Sequence, residues 1–431
     1  MRNERTIVVW CCLTVMMLGG VLPCGAENAW PPKIFPITFW CGPPEPFITV
    51  EQYRRIAEAG FTIVMPPCEG AATVERNRKI LDTAKAVGLK VILSDARMPL
   101  AINGNREAEK AVQAIVADYH KHPALMGYFL TDEPGADAFQ GLHEVQALLH
   151  KLDPEHLVYI NLFPNYATTN YVAKPSQLQT NTYEEYLQNY LRVVQPDVLS
   201  WDHYHFLKDG DRQGFFGNLS AVQQAINTNA ETTPFWQIVL SVEHGGYRPL
   251  NENELRFEAM QSLVYGVHGL AYFTYWLPDD PSFTWNHAIM NRDGTPGPLY
   301  EPVKRVNSEV QKLGKWLYHT KVLETFQTGA VPPDGRDQPQ DGMVKIQGAG
   351  NLSIGLFRGE GFLYVMVSNR DYRNGVTSKL AVNVGNKDRV IEKLDMTTNR
   401  WNPLKGTKDR NGIITQDFTL DPAAASLYRW R

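Results

Sequence analysis

Two stretches carry acidic residues where an apolar run stops. GYFLTDEPG (127–135) ends in Asp132 and Glu133 followed by Pro134 and Gly135, and FWQIVLSVEH (235–244) ends in Glu243 and His244. A carboxylate at the end of a buried strand is either the point where the chain surfaces into water or a group held at the lip of a cavity. Two carboxyls facing one another can act on a bond between them: one protonates the leaving oxygen, the other attacks the carbon or activates water. That is the equipment of glycoside hydrolysis. A gap of about 5 Å implies the covalent, retaining route and about 6.5–9.5 Å an inverting one.

The elements that must hold these groups are legible as a repeat. Eight short apolar runs recur: 34–40, 61–67, 89–95, 125–133, 157–165, 197–205, 235–244 and 269–276. Each is almost continuously apolar, as a strand buried on both faces should be. Helical patterns alternate with them, at 50–60, 74–88, 105–123, 139–154, 182–196, 219–230, 252–267 and 301–319. Gly60 and Gly88 end two of these as C-caps. Eight strands alternating with eight helices predict an α/β fold, a (β/α)₈ TIM barrel over residues 30–322. A doubly wound open sheet is the alternative, but no GxGxxG or phosphate-binding loop follows the first strand.

Beyond residue 322 the pattern shifts to period two, with turns at GAGN, RGEG, NRDYRNG and KDRNG. Residues 323–431 therefore predict a small C-terminal antiparallel β-sandwich. Residues 1–26, basic at the start, then apolar and ending in Cys24-Gly25-Ala26, read as a signal peptide for secretion or export to a periplasm. Lipoprotein anchoring through Cys24 fits less well because Pro23 precedes it, and the apolar run is short for a membrane span. Cys41 and Cys68 are then the two remaining cysteines, and they can pair or stay as thiols. The net charge of −4 offers no basic field for nucleic acid.

In such a barrel the reacting groups stand at the C-terminal ends of the strands. The polar residues there are Cys68-Glu69, Asp95 and Arg97, Asp132-Glu133, Asn161 and Asn165, Asp202-His203-Tyr204-His205, Glu243-His244 and Trp276. Glu133 and Glu243 are the expected catalytic pair, with Asp202 the substitute if Glu243 fails. Asp132, Asp202, His203, Tyr204, His205, Asn161 and Arg97 are expected to bind substrate. Trp40, Trp201, Trp276 and Trp285 are candidates to stack on a sugar ring, Trp276 foremost. Bland roles stand beside each: Glu243 paired with Arg248, Tyr204 a core aromatic, Arg97 supporting from behind. The histidines match no metal-ligand spacing, so neither metal nor cofactor is expected.

Several stretches carry a resemblance. SVEHGG (241–246) is similar to the nucleophile strand of the cellulase-like glycoside hydrolase family 5, and DHYH (202–205) to that family's strand-6 His-x-Tyr region, with His and Tyr adjacent. Residues 254–276 are similar to the strand 7 to strand 8 passage of family 42 β-galactosidases, and 299–314 to their last barrel helix. The chain resembles glycoside hydrolase clan A more than any one family. The resemblance implies hydrolysis of an O-glycosidic bond of an oligo- or polysaccharide with retention, Glu133 serving as acid/base and Glu243 as nucleophile. One position departs: the clan places Asn before the acid/base, to hold the sugar 2-hydroxyl, and here it is Asp132. That change suits a raised acid pKa, a changed substrate or a barrel that binds carbohydrate without cleaving it.

Overall fold

The computed structural model describes residues 30–229, 232–385, 389–404 and 406–431; the expected signal peptide lies outside them. The barrel strands are β1 (Ile37–Phe39), β2 (Ile63–Val64), β3 (Lys90–Leu93), β4 (Leu125–Asp132), β5 (Leu157–Leu162) and β6 (Leu199–Asp202). Two short strands, β7 (Phe206–Leu207) and β8 (Gly210–Asp211), form a hairpin after β6. Then come β9 (Phe235–Leu240), β10 (Glu243–His244), β11 (Gly269–Phe273) and β12 (Trp285–Asn286). The eight parallel strands run in the order β1-β11-β9-β6-β5-β4-β3-β2. The ring closes where the Thr62 N–H donates to Ile37 O at 2.9 Å.

The expected helices are all present: α1 (Val50–Glu58), α2 (Val74–Ala86), α3 (Arg106–Tyr119), α4 (Phe139–Leu152), α5 (Tyr183–Val193), α6 (Phe215–Asn229), α7 (Glu252–Val264) and α8 (Tyr300–Leu317). Side-chain caps start several of them: Thr49, Thr73, Asn105 and Thr182 each accept from the first turn, and Asn251 forms a capping box with Glu254. Gly60 and Gly88 take left-handed φ of 83° and 78°, as C-caps do. The amphipathic helices pack against the outer strand faces, joining side chains such as Ile37, Val91 and Leu162 to Ile56, Ile80 and Leu187 in one core. A separate cluster, including Met65, Met126, Tyr159 and Trp236, fills the barrel interior.

The C-terminal part is two antiparallel sheets. Its strands are β13 (Lys321–Gln327), β14 (Val344–Gln347), β15 (Leu352–Gly359), β16 (Phe362–Asn369), β17 (Val376–Asn383), β18 (Glu392–Asp395), β19 (Arg400–Pro403), β20 (Thr407–Lys408), β21 (Ile413–Leu420) and β22 (Ala425–Trp430). One sheet runs β13-β15-β16-β22-β18-β19 and the other β14-β17-β21-β20, with an apolar core that includes Ile354, Val365, Val382 and Trp430. Helix α7 lies between barrel and sandwich, which explains why almost all its residues are buried. Gln261 Nε2 donates to Ser368 Oγ across this seam at 2.9 Å.

Cys41 and Cys68 are bridged, their Cα atoms 4.7 Å apart. The bridge ties the loop after β1 to the loop after β2, on the side where the strands end.

Candidate active site

Strand β4 surfaces at Asp132, and Glu133 follows in a left-handed conformation with φ of 46°. A non-glycine residue there is costly unless its surroundings fix it. They do: the Glu133 N–H donates to Asn161 O at 2.8 Å, and Pro134 O accepts from the Tyr186 hydroxyl at 2.7 Å. Gly135 is closely packed: a Cβ would stand 2.8 Å from both Asp137 Oδ1 and Gln179 Cγ, so those side chains would have to shift to admit one. The turn aims the Glu133 side chain along the strand ends.

Asn161, buried at the end of β5, organises the acids. Its Nδ2 donates to Asp132 Oδ1 and to Asp202 Oδ1, each at 3.0 Å, and its Oδ1 accepts from Ser200 Oγ at 3.1 Å. Ser200 in turn bonds the Tyr159 hydroxyl at 2.7 Å. Glu133 shares a hydrogen bond with Asp202. No lysine or arginine pairs with Asp132, Glu133 or Asp202 among the described residues.

This crowding sets the protonation. Burial, then the charge of Asp132, pushes the Glu133 carboxyl up to about 7, against the lowering effect of its bond to Asp202. Solvent reaches Asp132 through the mouth, but protein encloses it otherwise, and that desolvation pushes it up to about 6 while Asn161 opposes the shift. Asp202 is fully enclosed, and burial, reinforced by Glu133 and Asp132, drives its carboxyl well above the usual range. Near neutrality Asp202 is the uncharged member, Asp132 is mostly ionised and Glu133 sits between them.

Glu243 is placed differently from expectation. Strand β9 ends at Leu240, and Glu243 sits three residues further on in β10, an antiparallel two-residue pair with β12 in which it faces Asn286. Its carboxylate is 3.8 Å from the Lys208 ammonium, on the β7–β8 hairpin. Arg248, the partner considered from sequence, instead pairs with Glu254 and lies 3.5 Å from Asp211.

Other expected site residues also move apart. The Arg97 guanidinium is occupied by Asp95 and by Asp118 of α3, each at 2.9 Å, so it supports the wall from behind. His203 is buried between the rings of Tyr166 and Phe215, and His205 stacks on Phe257 with Asp211 at 3.9 Å; neither bonds a carboxylate of the acid cluster. Trp276 is 2 % exposed and packs on Phe47, leaving no open face for a sugar. Trp201 is wholly buried, and Trp285 is covered by stacking on His244 at 4.7 Å. Trp40 is half-buried, packed edge-on against Phe129. Tyr204 is half-buried, stacks on Phe273 at 5.1 Å, and lies within the electrostatic reach of Asp202, Asp132 and Glu133.

A rim group went unseen in the sequence. The Arg212 guanidinium lies 3.9 Å over the Tyr166 ring, which is about a third exposed, and bonds the Tyr247 hydroxyl at 3.0 Å. Burial and the nearby Asp202 raise the Tyr166 phenol. Three different loops supply these residues, so only the length of the loops after strands 5 and 6 hinted at them. No group of three metal-ligating side chains and no helix long and apolar enough to cross a membrane occurs among the described residues.

No family model matches the chain, and no curated protein matches its sequence. Its fold aligns with solved structures. One, described as a glycoside hydrolase, shares 12% identity over 92% of both chains with a TM-score of 0.57. Another, a glycoside hydrolase family 5 structure from Bacteroides vulgatus, shares 11% identity over 92% of this chain and 89% of that one, with a TM-score of 0.55. The chain shares with these structures the fold of an eight-stranded parallel (β/α)₈ barrel followed by a β-sandwich. Identity this low speaks for the fold alone, and residue roles rest on the site's own chemistry.

Proposed function

We propose that the chain hydrolyses O-glycosidic bonds of a glycan with retention, and that Glu133 is the acid/base. The observation that supports this best is the Glu133 environment: a carboxyl at a barrel strand's C-terminal end, raised to about 7 by burial and Asp132. A group of that pKa can give a proton to a leaving oxygen and take one back from water near neutral pH. Asp202 and Asn161 act as positioning residues that hold the acid pair. No metal or cofactor enters the scheme.

The sequence assigns the attack on the anomeric carbon to Glu243, and its pairing with Lys208 is the feature in favour of that two-glutamate form. A barrel that binds glycans without cleaving them is the second reading, and the replacement of the clan's Asn by Asp132 is what favours it. A screen of aryl glycosides and oligosaccharides, with Glu133→Gln beside the parent, separates them. Hydrolysis by the parent with a loss of about 10²–10⁴-fold in the variant is expected. Binding without hydrolysis, or full activity in Glu133→Gln, contradicts the proposal.

A further inference from the structure

Resting on the glycosidase reading, we propose that the substrate is a chain of several sugars lying along an aromatic track from Tyr166 to Phe283, so that internal bonds of a polysaccharide are cleaved. Among the described residues only Tyr166, Tyr171 and Phe283 are aromatic and more than a third exposed, at 37 %, 80 % and 50 %. All three lie on loops that leave the C-terminal ends of barrel strands, Tyr166 and Tyr171 between β5 and α5 and Phe283 between β11 and α8. None stands on a helix or on the sandwich. Single exposed apolar side chains scatter over any protein surface, whereas confinement to one end of a barrel marks a face that meets a ligand. The buried tryptophans at the strand ends leave stacking to these rings.

Tyr166 and Phe283 are joined by contacts that run past the carboxyl groups. The Arg212 guanidinium lies 3.9 Å over the Tyr166 ring and 5.6 Å from the centre of the Tyr247 ring. Tyr247 packs on His244 with ring centres 4.8 Å apart, and His244 on Phe283 at 5.7 Å. The Tyr166 loop leaves the barrel from β5, between β4, which leads to Glu133, and β6, which ends in Asp202. At the other end, Phe283 touches the neighbour of Glu243, and the β10–β12 pairing sets Glu243 against Asn286 just beyond it. The track therefore has one exposed ring on the Glu133 side and one on the Glu243 side.

The edges of the track are polar. Arg212 is partly exposed, and the half-exposed Lys208 ammonium stands beside Glu243. A sugar ring is built to match, with C–H faces for the aromatic rings and hydroxyl edges that accept from a guanidinium or an ammonium. A lipid tail or an apolar protein face would strip water from those charges and offer them no partner. A site for one terminal sugar needs a stacking face on one side of the reacting bond. Faces on both sides serve a chain that continues past it in either direction.

The test uses the full chain with reducing-end-labelled cello-, xylo-, manno- and laminari-oligosaccharides of two to six residues and the corresponding polymers. In the series that is cleaved, kcat/KM is expected to rise by about 100-fold or more from the disaccharide to the hexasaccharide, and the first products from the polymer are of mixed length. Phe283→Ala should lose about tenfold more on the hexasaccharide than on the disaccharide, while Phe283→Trp, which keeps a ring, retains the dependence on length. Tyr166→Phe should stay close to the parent and Tyr166→Ala should not. Leu323→Ala removes an exposed apolar side chain from the sandwich and should change nothing. A rate independent of chain length, release of single sugars from one end only, equal losses at every length in Phe283→Ala, or the same length-dependent loss in Leu323→Ala overturns this inference and leaves the glycosidase reading standing. No cleavage of any series, aryl glycosides included, overturns that reading itself, and this inference with it.

Discussion

The carboxyl groups of Glu133 and Asp202 share a hydrogen bond in which fully enclosed Asp202 is the more strongly protonated partner. Asp202 therefore donates, which holds the Glu133 carboxyl lower than burial and Asp132 alone would leave it. Removing the donor should raise the acid's apparent pKa, and replacing it should not. Asp202→Ala is expected to move the basic limb of the kcat/KM profile to higher pH, while Asp202→Asn, which can still donate, leaves it close to the parent's position. Identical limbs in Asp202→Ala and parent would show that the bond has no influence on the acid.

The same cluster predicts the form of the pH–rate profile. Catalysis as proposed needs Glu133 protonated, with its carboxyl pushed up to about 7 by burial and Asp132. kcat/KM is therefore expected to fall on the alkaline side of about 7 as Glu133 loses its proton, with an apparent pKa that belongs to the coupled group. A broad plateau reaching far into the alkaline range contradicts the assignment of Glu133.

The contribution of the acid pair to stability should follow pH in the opposite sense to an ordinary salt-bridged carboxylate. Glu133 and Asp132 have folded values raised above the 4.5 and 3.8 of exposed groups. Between those limits these two groups hold protons in the folded chain that the unfolded chain has released, so their contribution to stability falls as pH rises from about 4 to about 7, against the opposite trend of the enclosed histidines His203, His205 and His268, whose folded values are lowered. Urea unfolding at pH 5 and pH 8 measures this. Glu133→Gln should narrow the gap between the two conditions, with the larger gain at pH 8; an unchanged gap shows that the acid is not raised.

The Cys41–Cys68 bridge closes a loop of sequence separation 27 and joins the loops after β1 and β2. Loop-closure entropy for that length corresponds to roughly 3–4 kcal/mol. The Cys41→Ser/Cys68→Ser double variant should unfold at lower urea concentration than the oxidised parent, and a reductant should lower the parent's midpoint but not the variant's. Coincident unfolding curves for all three samples contradict the pairing.

The barrel was legible because strands buried on both faces read as apolar runs, and because Gly60 and Gly88 mark helix ends. Asp132, Glu133, Asn161 and Asp202 were found by their strand-end positions. Their joint hydrogen bonding through one amide was not, because it depends on the relative register of β4, β5 and β6. Glu243 looked like a strand end since SVE continues the apolar run of β9, yet the parallel ladder stops at Leu240. Trp276 occupies the end of the β11 run as expected, but a bridge to Met290 and the packing of Phe47 cover it. Lys208 meets Glu243, and Arg212 meets Tyr166, only through loops folded over one another, which periodicity does not encode. In the C-terminal part, β19 and β20 are short and at sheet edges, where too few residues alternate to leave a period-two pattern.

The most direct test of proton donation by Glu133 is a leaving-group series. Aryl glycosides from phenyl to 2,4-dinitrophenyl are hydrolysed by the parent and by Glu133→Gln, and log kcat/KM is plotted against the pKa of the released phenol. The account predicts a shallow dependence for the parent. For the variant it predicts a steep one, with a deficit of about 100-fold or more on the phenyl substrate that nearly vanishes on the dinitrophenyl one. Parallel lines for the two proteins would contradict it.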